Sequence, residues 1–431
     1  MLSYYFLYVY LMLNNANIYI FADLMVSEDS MRGIIPRIFF YLLFLSSGIL
    51  KAQNIQNDST ENKQWQINYG SKGVQLRSPD NSYLLQIQGR LQFRFATPSD
   101  NDPVTFNDFA SNNTSAFKIN RARLKVGGHA YKPWLKYYWE YELGRSNLLD
   151  FRIMVERWKW FNVKIGQWKV EFNRERRISS GVQQMVDRSI LNRAFTVDRQ
   201  QGVEIYGRLD GPSVADFNYW AGIFTGTGRG TQENDDKNLM YFGRLQWNVT
   251  GENLGFKSSD LSIHKTPEAI IALSAVTNRS GYTRFSSSGG GYLQGFENGQ
   301  AGQYRINQIN LETAFVYNGF SWQSELHNKE IIDKINKNTT TLRGFYLQAG
   351  YLAHQSIHWW PEPLEIAFRY SNYSPDTDLD NNLEEASVAM NWFFTGHRNK
   401  LSMEVSQFDI QTSDYQTADE LRFRVQWDFS F

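Results

Sequence analysis

The chain has no cysteine among its 431 residues. That absence excludes disulfides, zinc–thiolate sites, iron–sulfur clusters and cysteine nucleophiles together. Neither sign of charge is in excess: 44 Lys and Arg stand against 44 Asp and Glu, so no basic balance points to nucleic acid. Proline is scarce. Long apolar runs are also missing: mean hydropathy is −0.48, too polar for a bundle of membrane helices, each of which needs about 20 apolar residues. What is abundant is aromatic, with 30 Phe, 24 Tyr and 13 Trp. A chain rich in aromatics yet polar on average fits a transmembrane β-barrel, whose wall is apolar on one face only and carries aromatic girdles.

The N-terminal region reads as a targeting segment. Met31-Arg32-Gly33-Ile34-Ile35-Pro36-Arg37 is a short basic start, Ile38 to Leu50 is apolar, and Lys51-Ala52-Gln53 follows. This is the layout of a secretory signal peptide over residues 31–52, cleaved near Ala52. Residues 1–30 then read as an over-extended N-terminus ahead of a true start at Met31. The alternative, a membrane helix over 1–22, is interrupted by Asn14, Asn15 and Asn17. Residues 53–64 are polar and read as a flexible leader. A chain without cysteine suits an oxidising periplasm.

From Trp65 onward the recurring pattern is alternation with period two, the signature of strands. Leu91, Phe93 and Phe95 alternate with Arg90, Gln92 and Arg94. Arg121, Arg123 and Lys125 share the polar face of the next segment. At the C-terminus Leu421, Phe423, Val425, Trp427, Phe429 and Phe431 oppose Arg422, Arg424, Gln426, Asp428 and Ser430. Counting such segments predicts sixteen strands: 83–95, 116–131, 134–144, 149–157, 160–172, 200–210, 215–225, 239–249, 268–278, 303–318, 320–332, 341–353, 363–373, 384–394, 399–411 and 417–431. The fold class is thus all-β, a transmembrane antiparallel barrel over 65–431, with an added hairpin at 65–78. Short connections at 132–133, 158–159, 211–214, 319 and 395–398 intersperse with long polar ones at 96–115, 173–199, 226–238 and 279–302. They match the periplasmic and extracellular ends of such barrels. The gap at 250–267 breaks that rule. A final strand ending on Phe431 is similar to the signal read by the outer-membrane barrel assembly machinery.

Polar-face charges of a membrane barrel are tolerable only if they point into a wet lumen. Closure makes the first and last strands neighbours, which places Arg90, Arg94, Arg422 and Arg424 on one wall, extended by Arg121, Arg123 and Lys125. Such a stripe attracts anions, since rings of Arg and Lys make anion and phosphate pores; equally, lumen charges could only pair across the wall. The third extracellular loop, 173–199, carries six arginines and an apolar set of Ile178, Val182, Met185, Val186, Ile190, Leu191 and Phe195. A loop that apolar is expected to fold inward and set a constriction, with Lys169 and Arg188 beside it. Its arginines could also serve only to tie the loop to the wall.

In these residues a family becomes visible. Gly166-Gln167-Trp168-Lys169, Phe172, Glu175, Ser179-Ser180, Asp187-Arg188-Ser189, Asn192, Phe195, Arg199 and Gly202-Val203 resemble the motif region of the phosphate-selective porins O and P. Gln88-Gly89-Arg90-Leu91-Gln92, Arg121-Ala122-Arg123-Leu124, Asn391-Trp392-Phe393 and Gly396-His397-Arg398-Asn399-Lys400-Leu401 are similar to further blocks of that family. The likeness spans about residues 66–431. It implies a sixteen-stranded outer-membrane porin, usually a homotrimer, passing phosphate-like anions down a ladder of arginines and lysines. Two departures stand out: Glu171 occupies the place of a common proline before Phe172, and Asp187 that of a glutamate.

No Gly-x-Ser-x-Gly, His-Glu-x-x-His or P-loop occurs, so the reading is a channel and not an enzyme, with no cofactor and no metal. Gly226-Thr227-Gly228-Arg229-Gly230 lacks dinucleotide spacing and reads as a flexible loop. Asp376, Asp378 and Asp380 begin like a calcium loop, but Asn381 and Ser387 stand where its Gly and Glu belong. The expected solutes are small anions such as phosphate, the surroundings outer-membrane lipid, and nucleic acid is no partner. A general non-selective porin and a surface-binding barrel are the alternatives.

Overall fold

The computed structural model describes residues 64–100, 114–211, 215–287, 289–297, 299–412, 414 and 416–431, and the short pairing of Tyr5–Phe6 with Met25–Val26. The expected signal peptide at 31–52, the rest of the over-extended 1–30 and leader residues 53–63 lie outside the described residues. Among those described, sixteen antiparallel strands close into a barrel. In chain order they are β1 Leu84–Thr97, β2 Ala116–His129, β3 Leu135–Glu142, β4 Asn147–Val155, β5 Asn162–Lys169, β6 Arg199–Asp210, β7 Asp216–Phe224 and β8 Met240–Asn248. The second half runs β9 Glu268–Ser280, β10 Tyr304–Tyr317, β11 Phe320–Asp333, β12 Asn338–Tyr351, β13 Leu364–Ser374, β14 Asn382–Phe393, β15 Asn399–Gln411 and β16 Thr417–Ser430.

Period-two alternation sets the wall. Along β16, Arg422, Arg424, Gln426 and Asp428 are buried inward, while Leu421, Phe423, Trp427 and Phe429 are exposed outward and Val425 is half-buried on the same face. The same alternation leaves Leu245, Leu273, Leu311, Leu326, Phe368 and Val388 exposed, an apolar surface made for lipid contact. The barrel closes where Phe423 pairs with Thr97, Gln426 with Arg94 and Ser430 with Arg90. Phe431 continues the ladder, its N–H donating to the Gly89 carbonyl at 3.0 Å. Its ring lies over Gly89, where a Cβ would come within 2.5 Å of it. The hairpin Gln66–Gly70 with Gly73–Arg77 fills the remaining edge of β1, pairing Val74 with Ile87 and Arg77 with Leu84.

One rim has the short connections 130–134, 156–161, 211–215, 318–319 and 394–398, decorated by exposed Tyr131, Trp158, Trp160, Trp359 and Phe394. The opposite rim carries the long ones. The loop after β5 (170–198, here the inward loop) enters the lumen, as its apolar content requires. Its Ile190, Leu191, Ala194 and Phe195 join Phe285, Tyr304, Ile306, Ile331, Leu342, Tyr346, Tyr373, Leu383, Phe408 and Ile410 in a dry cluster against β10–β15. Met185 packs on Ala367 and Ala389. The loop's two ends, Val170, Phe172 and Val197, pack on Trp168, Phe224, Met240, Phe242 and Val276. Strand β5 therefore ends at Lys169, three residues before the expected 172, because Val170 to Phe172 already turn into the lumen.

The long connection 249–267 on the short-turn rim has a physical reason. It too folds inward. Leu254 packs on Ile270, Ala272, Ala314 and Val316, Ser259 donates to Glu365 at 3.0 Å, and the Phe256 ring meets the guanidinium groups of Arg174, Arg177 and Arg244 at 5.9, 5.2 and 5.4 Å. The lumen is thus filled from both rims.

Candidate functional site: two basic cavities beside the inward loop

The inward loop starts with a single helical turn, α1 (Arg174–Arg177), and holds a second, α2 (Leu191–Phe195). On the long-loop side of α1 lies a cavity of about 230 Å³. It is lined by nine cations, Arg121, Arg123, Arg145, Lys169, Arg176, Arg188, Arg193, Arg199 and Arg229, against three carboxylates, Glu142, Asp187 and Asp198. Each carboxylate is already committed: Glu142 to Arg123 at 2.7 Å, Asp187 to Arg94 at 2.7 Å, Asp198 to Arg176 at 2.5 Å. Arg123 also holds Glu140 at 2.8 Å, and Arg199 holds Asp150 at 2.5 Å. Among the described residues, Arg121, Arg145, Lys169, Arg188 and Arg229 have no carboxylate within ion-pair distance. Arg121 donates to Gln92 Oε1 at 2.7 Å, Lys169 to the Arg176 carbonyl at 3.2 Å, and Arg188 to the carbonyls of Glu175 and Ile178 at 3.1 and 2.9 Å. Burial, then the neighbouring Arg176, pulls the Arg188 guanidinium down to about 9, the mark of crowded positive charge in a low-dielectric wall. An anion entering here would relieve it.

On the short-turn side of α1 is a second cavity, of about 550 Å³. Arg152, Arg157, Lys159, Lys164, Arg177 and Arg208 line it against Glu156 and Glu171. The partition between the two cavities is the start of the inward loop itself, with Arg176 on one side and its neighbour Arg177 on the other. Glu171 sits in that partition. It accepts from Lys164 Nζ and Arg177 Nε, both at 2.9 Å, and from Trp168 Nε1 at 3.2 Å. Lys164 also pairs with Glu204 at 2.7 Å. Burial opposes ionisation of Glu171, but Lys164 and Arg177 outweigh it and hold its pKa below the usual carboxylate range.

The arginines of the closure wall are arranged otherwise. Arg90 pairs with Asp428 at 3.1 Å and donates to Ser180 Oγ at 3.2 Å. Arg94 holds Asp100 at 3.0 Å, Asp187 at 2.7 Å and the Val186 carbonyl at 3.1 Å. Arg422 pairs with Glu420, and Arg424 with Glu404, each at 2.6 Å. These four share one wall, as strand order requires, but they line neither cavity; three of their partners belong to the inward loop. Lys125 faces Glu140 across the β2–β3 ladder and also lines neither. Arg121, Arg123, Lys169 and Arg188 do meet, around the first cavity.

Arg145 and Arg229 are site residues that sequence reasoning missed. Arg145 belongs to the turn between β3 and β4. Arg229 lies in the glycine-rich segment, which is docked rather than loose: Gly228 N–H donates to Gln200 Oε1 at 2.9 Å and Gly230 N–H to Gln167 Oε1 at 2.8 Å. The positive φ of Gly226, Gly228 and Gly230 permits that path, and it delivers Arg229 to the cavity. Gln167 within Gly166-Gln167-Trp168-Lys169 was the available signal.

Fold and site together define a channel of the bacterial outer membrane, a sixteen-stranded barrel with an inward loop and a charged lumen. The model of the phosphate-selective porin O and P family matches residues 90–430, and the chain belongs to that family of channels. Its fold is similar to that of the anion-selective porin from Comamonas acidovorans, at 11% identity, covering 80% of this chain and 99% of that one with a TM-score of 0.52. It is also similar to the outer membrane channel DcaP of Acinetobacter baumannii, at 11% identity, with 81% and 98% covered and a TM-score of 0.51. The outer-membrane OmpT of Vibrio cholerae gives 10% identity, 81% and 98% coverage and a TM-score of 0.52. No curated protein matches the chain.

Proposed function

We propose that this porin passes small anions, phosphate-like solutes first, along the wall formed by β2–β6 and the inward loop. The observation that carries the reading is the excess of nine cations over three already-paired carboxylates in the first cavity. Guanidinium and ammonium groups replace part of an anion's hydration with charge-assisted hydrogen bonds, and low-dielectric walls concentrate the field. Arg121, Arg123, Lys169 and Arg188 form the first station. Arg176 and Arg177 pass the ion across the partition, and Lys164, Arg152 and Arg208 receive it. Arg90 and Arg94 keep the inward loop in place, Arg422 and Arg424 are held by strand carboxylates, and Lys125 adds to the field from behind.

The same reading covers the chain's route and assembly. Residues 31–52 act as a cleaved signal peptide, Phe431 is read by the barrel assembly machinery, and the exposed apolar belt sits in lipid, the porin working as a homotrimer. The anion-selective name of the Comamonas porin accords with this solute class. The test is a planar-bilayer recording of the purified protein in KCl with inorganic phosphate added. Block of the chloride current by phosphate at low millimolar concentration is expected; an ohmic current indifferent to phosphate would make this a general porin with structural charges.

A further inference from the structure

On the outer surface of the barrel, away from both cavities, two arginines face each other. Arg279 on β9 and Arg305 on β10 are register partners. Their neighbours Ser280, Tyr304 and Ile306 are buried inward, so by alternation both arginines point outward. Directly opposed side chains lie about 4.5–5.5 Å apart at Cβ, and like charges so placed repel. Among the described residues neither has a carboxylate within ion-pair distance, and the Nε of Arg279 is buried without any hydrogen-bond partner. The outward acid Glu330 stands one row lower and accepts from Asn307 Nδ2 at 2.9 Å. The pair is therefore an uncompensated positive site built into the ladder.

Its height on the barrel identifies what compensates it. On the same two strands Ile271, Leu273, Ile309 and Leu311 are exposed and form the apolar belt. Arg305 lies four residues beyond Ile309 toward the long-loop rim. At about 3.4 Å per residue and a tilt of about 40°, that is roughly 10 Å above the belt, the level of headgroups in the outer leaflet. We infer that Arg279 and Arg305 dock the phosphorylated headgroup of an outer-leaflet glycolipid, with its acyl chains lying on the belt below. Two guanidinium forks donate to the oxygens of one phosphate in bidentate fashion. Below one polar row of Thr277, Asn307 and Glu330, the apolar strip that begins at Ala275 and Ile309 favours a lipid over free phosphate.

The test uses the purified full-length porin in detergent micelles, mixed with bis-phosphorylated lipid A or with its dephosphorylated form, and read by native mass spectrometry. Wild type is expected to retain bis-phosphorylated lipid A at least ten-fold more tightly than R279Q/R305Q, and inorganic phosphate at millimolar concentration should not displace it. R279K/R305K, which keeps the charge and the fold, should retain an intermediate affinity. A folded, heat-modifiable R279Q/R305Q that binds lipid A as well as wild type would overturn the assignment. So would equal binding of dephosphorylated lipid A, displacement by inorganic phosphate, or a change of oligomeric state in the variant, which would make the pair a contact between copies.

Discussion

At the closure wall Arg90, Arg94, Arg422 and Arg424 each reach a carboxylate at 2.6–3.1 Å. Around the first cavity five of nine cations reach none among the described residues. Both regions read alike in the sequence, as arginines on the polar face of amphipathic strands. The difference comes from the strands and the inward loop together: Asp428, Glu420 and Glu404 on β15 and β16 pair Arg90, Arg422 and Arg424, and the loop adds Asp187 for Arg94. Where the loop presses on the wall, its Asp187 carboxylate, Ser180 hydroxyl and Val186 carbonyl consume the arginine donors. Where it leaves a gap, donors remain for a solute. On the proposed function, lumen charge serves the solute only where the fold withholds its partners, and the two walls can be separated experimentally on that basis.

The largest effect should come from R94Q. It strips Asp100 and Asp187 of a shared buried partner, and breaking a buried pair from one side costs about 3–5 kcal/mol. The folded band on semi-native gels should then be lost at a lower temperature. Single-channel current should become noisier, as the inward loop loosens. An unchanged melting profile would show that the closure-wall arginines do not hold the loop.

A smaller change, of opposite sign for conduction, is expected of E171Q. Arg177 loses its carboxylate partner and Lys164 keeps only Glu204, so anion conductance should rise. A fall would mean that Glu171 chiefly maintains the partition's shape.

How much of this was legible beforehand depended on range. Strand number and the inward course of 173–199 followed from local pattern, because period-two alternation and an apolar run within a polar loop are visible residue by residue. The inward fold of 249–267 was hidden. Leu254 and Phe256 are sparse within a polar stretch, and what holds them, Ala272, Val316 and Arg174, is distant in sequence. The pairing of Arg94 with Asp187 spans 93 positions, so the sequence placed both groups without showing that they meet. Arg229 was obscured by glycines whose backbone N–H groups, not side chains, do the docking.

The smallest predicted effect concerns pH. Burial pushes Glu175, in the inward loop, up to about 7 from 4.5, against the pull of Arg369. A carboxyl with a raised folded pKa binds its proton more tightly when folded. Its stabilisation is therefore full below 4.5 and is lost as pH rises through about 7. The loop should resist protease better at pH 5 than at pH 7.5, and E175Q should flatten that difference. A slope of the opposite sign would remove Glu175 as its source.

The central claim is that anions follow the β2–β6 wall and not the closure wall. Reversal potentials across a KCl gradient, recorded for wild type, R121Q/R123Q and R422Q/R424Q in one bilayer system, test it most directly. The account predicts anion selectivity in wild type, a several-fold fall in anion-over-cation permeability for R121Q/R123Q, and little change for R422Q/R424Q. Equal loss in both variants, or loss confined to R422Q/R424Q, would contradict it.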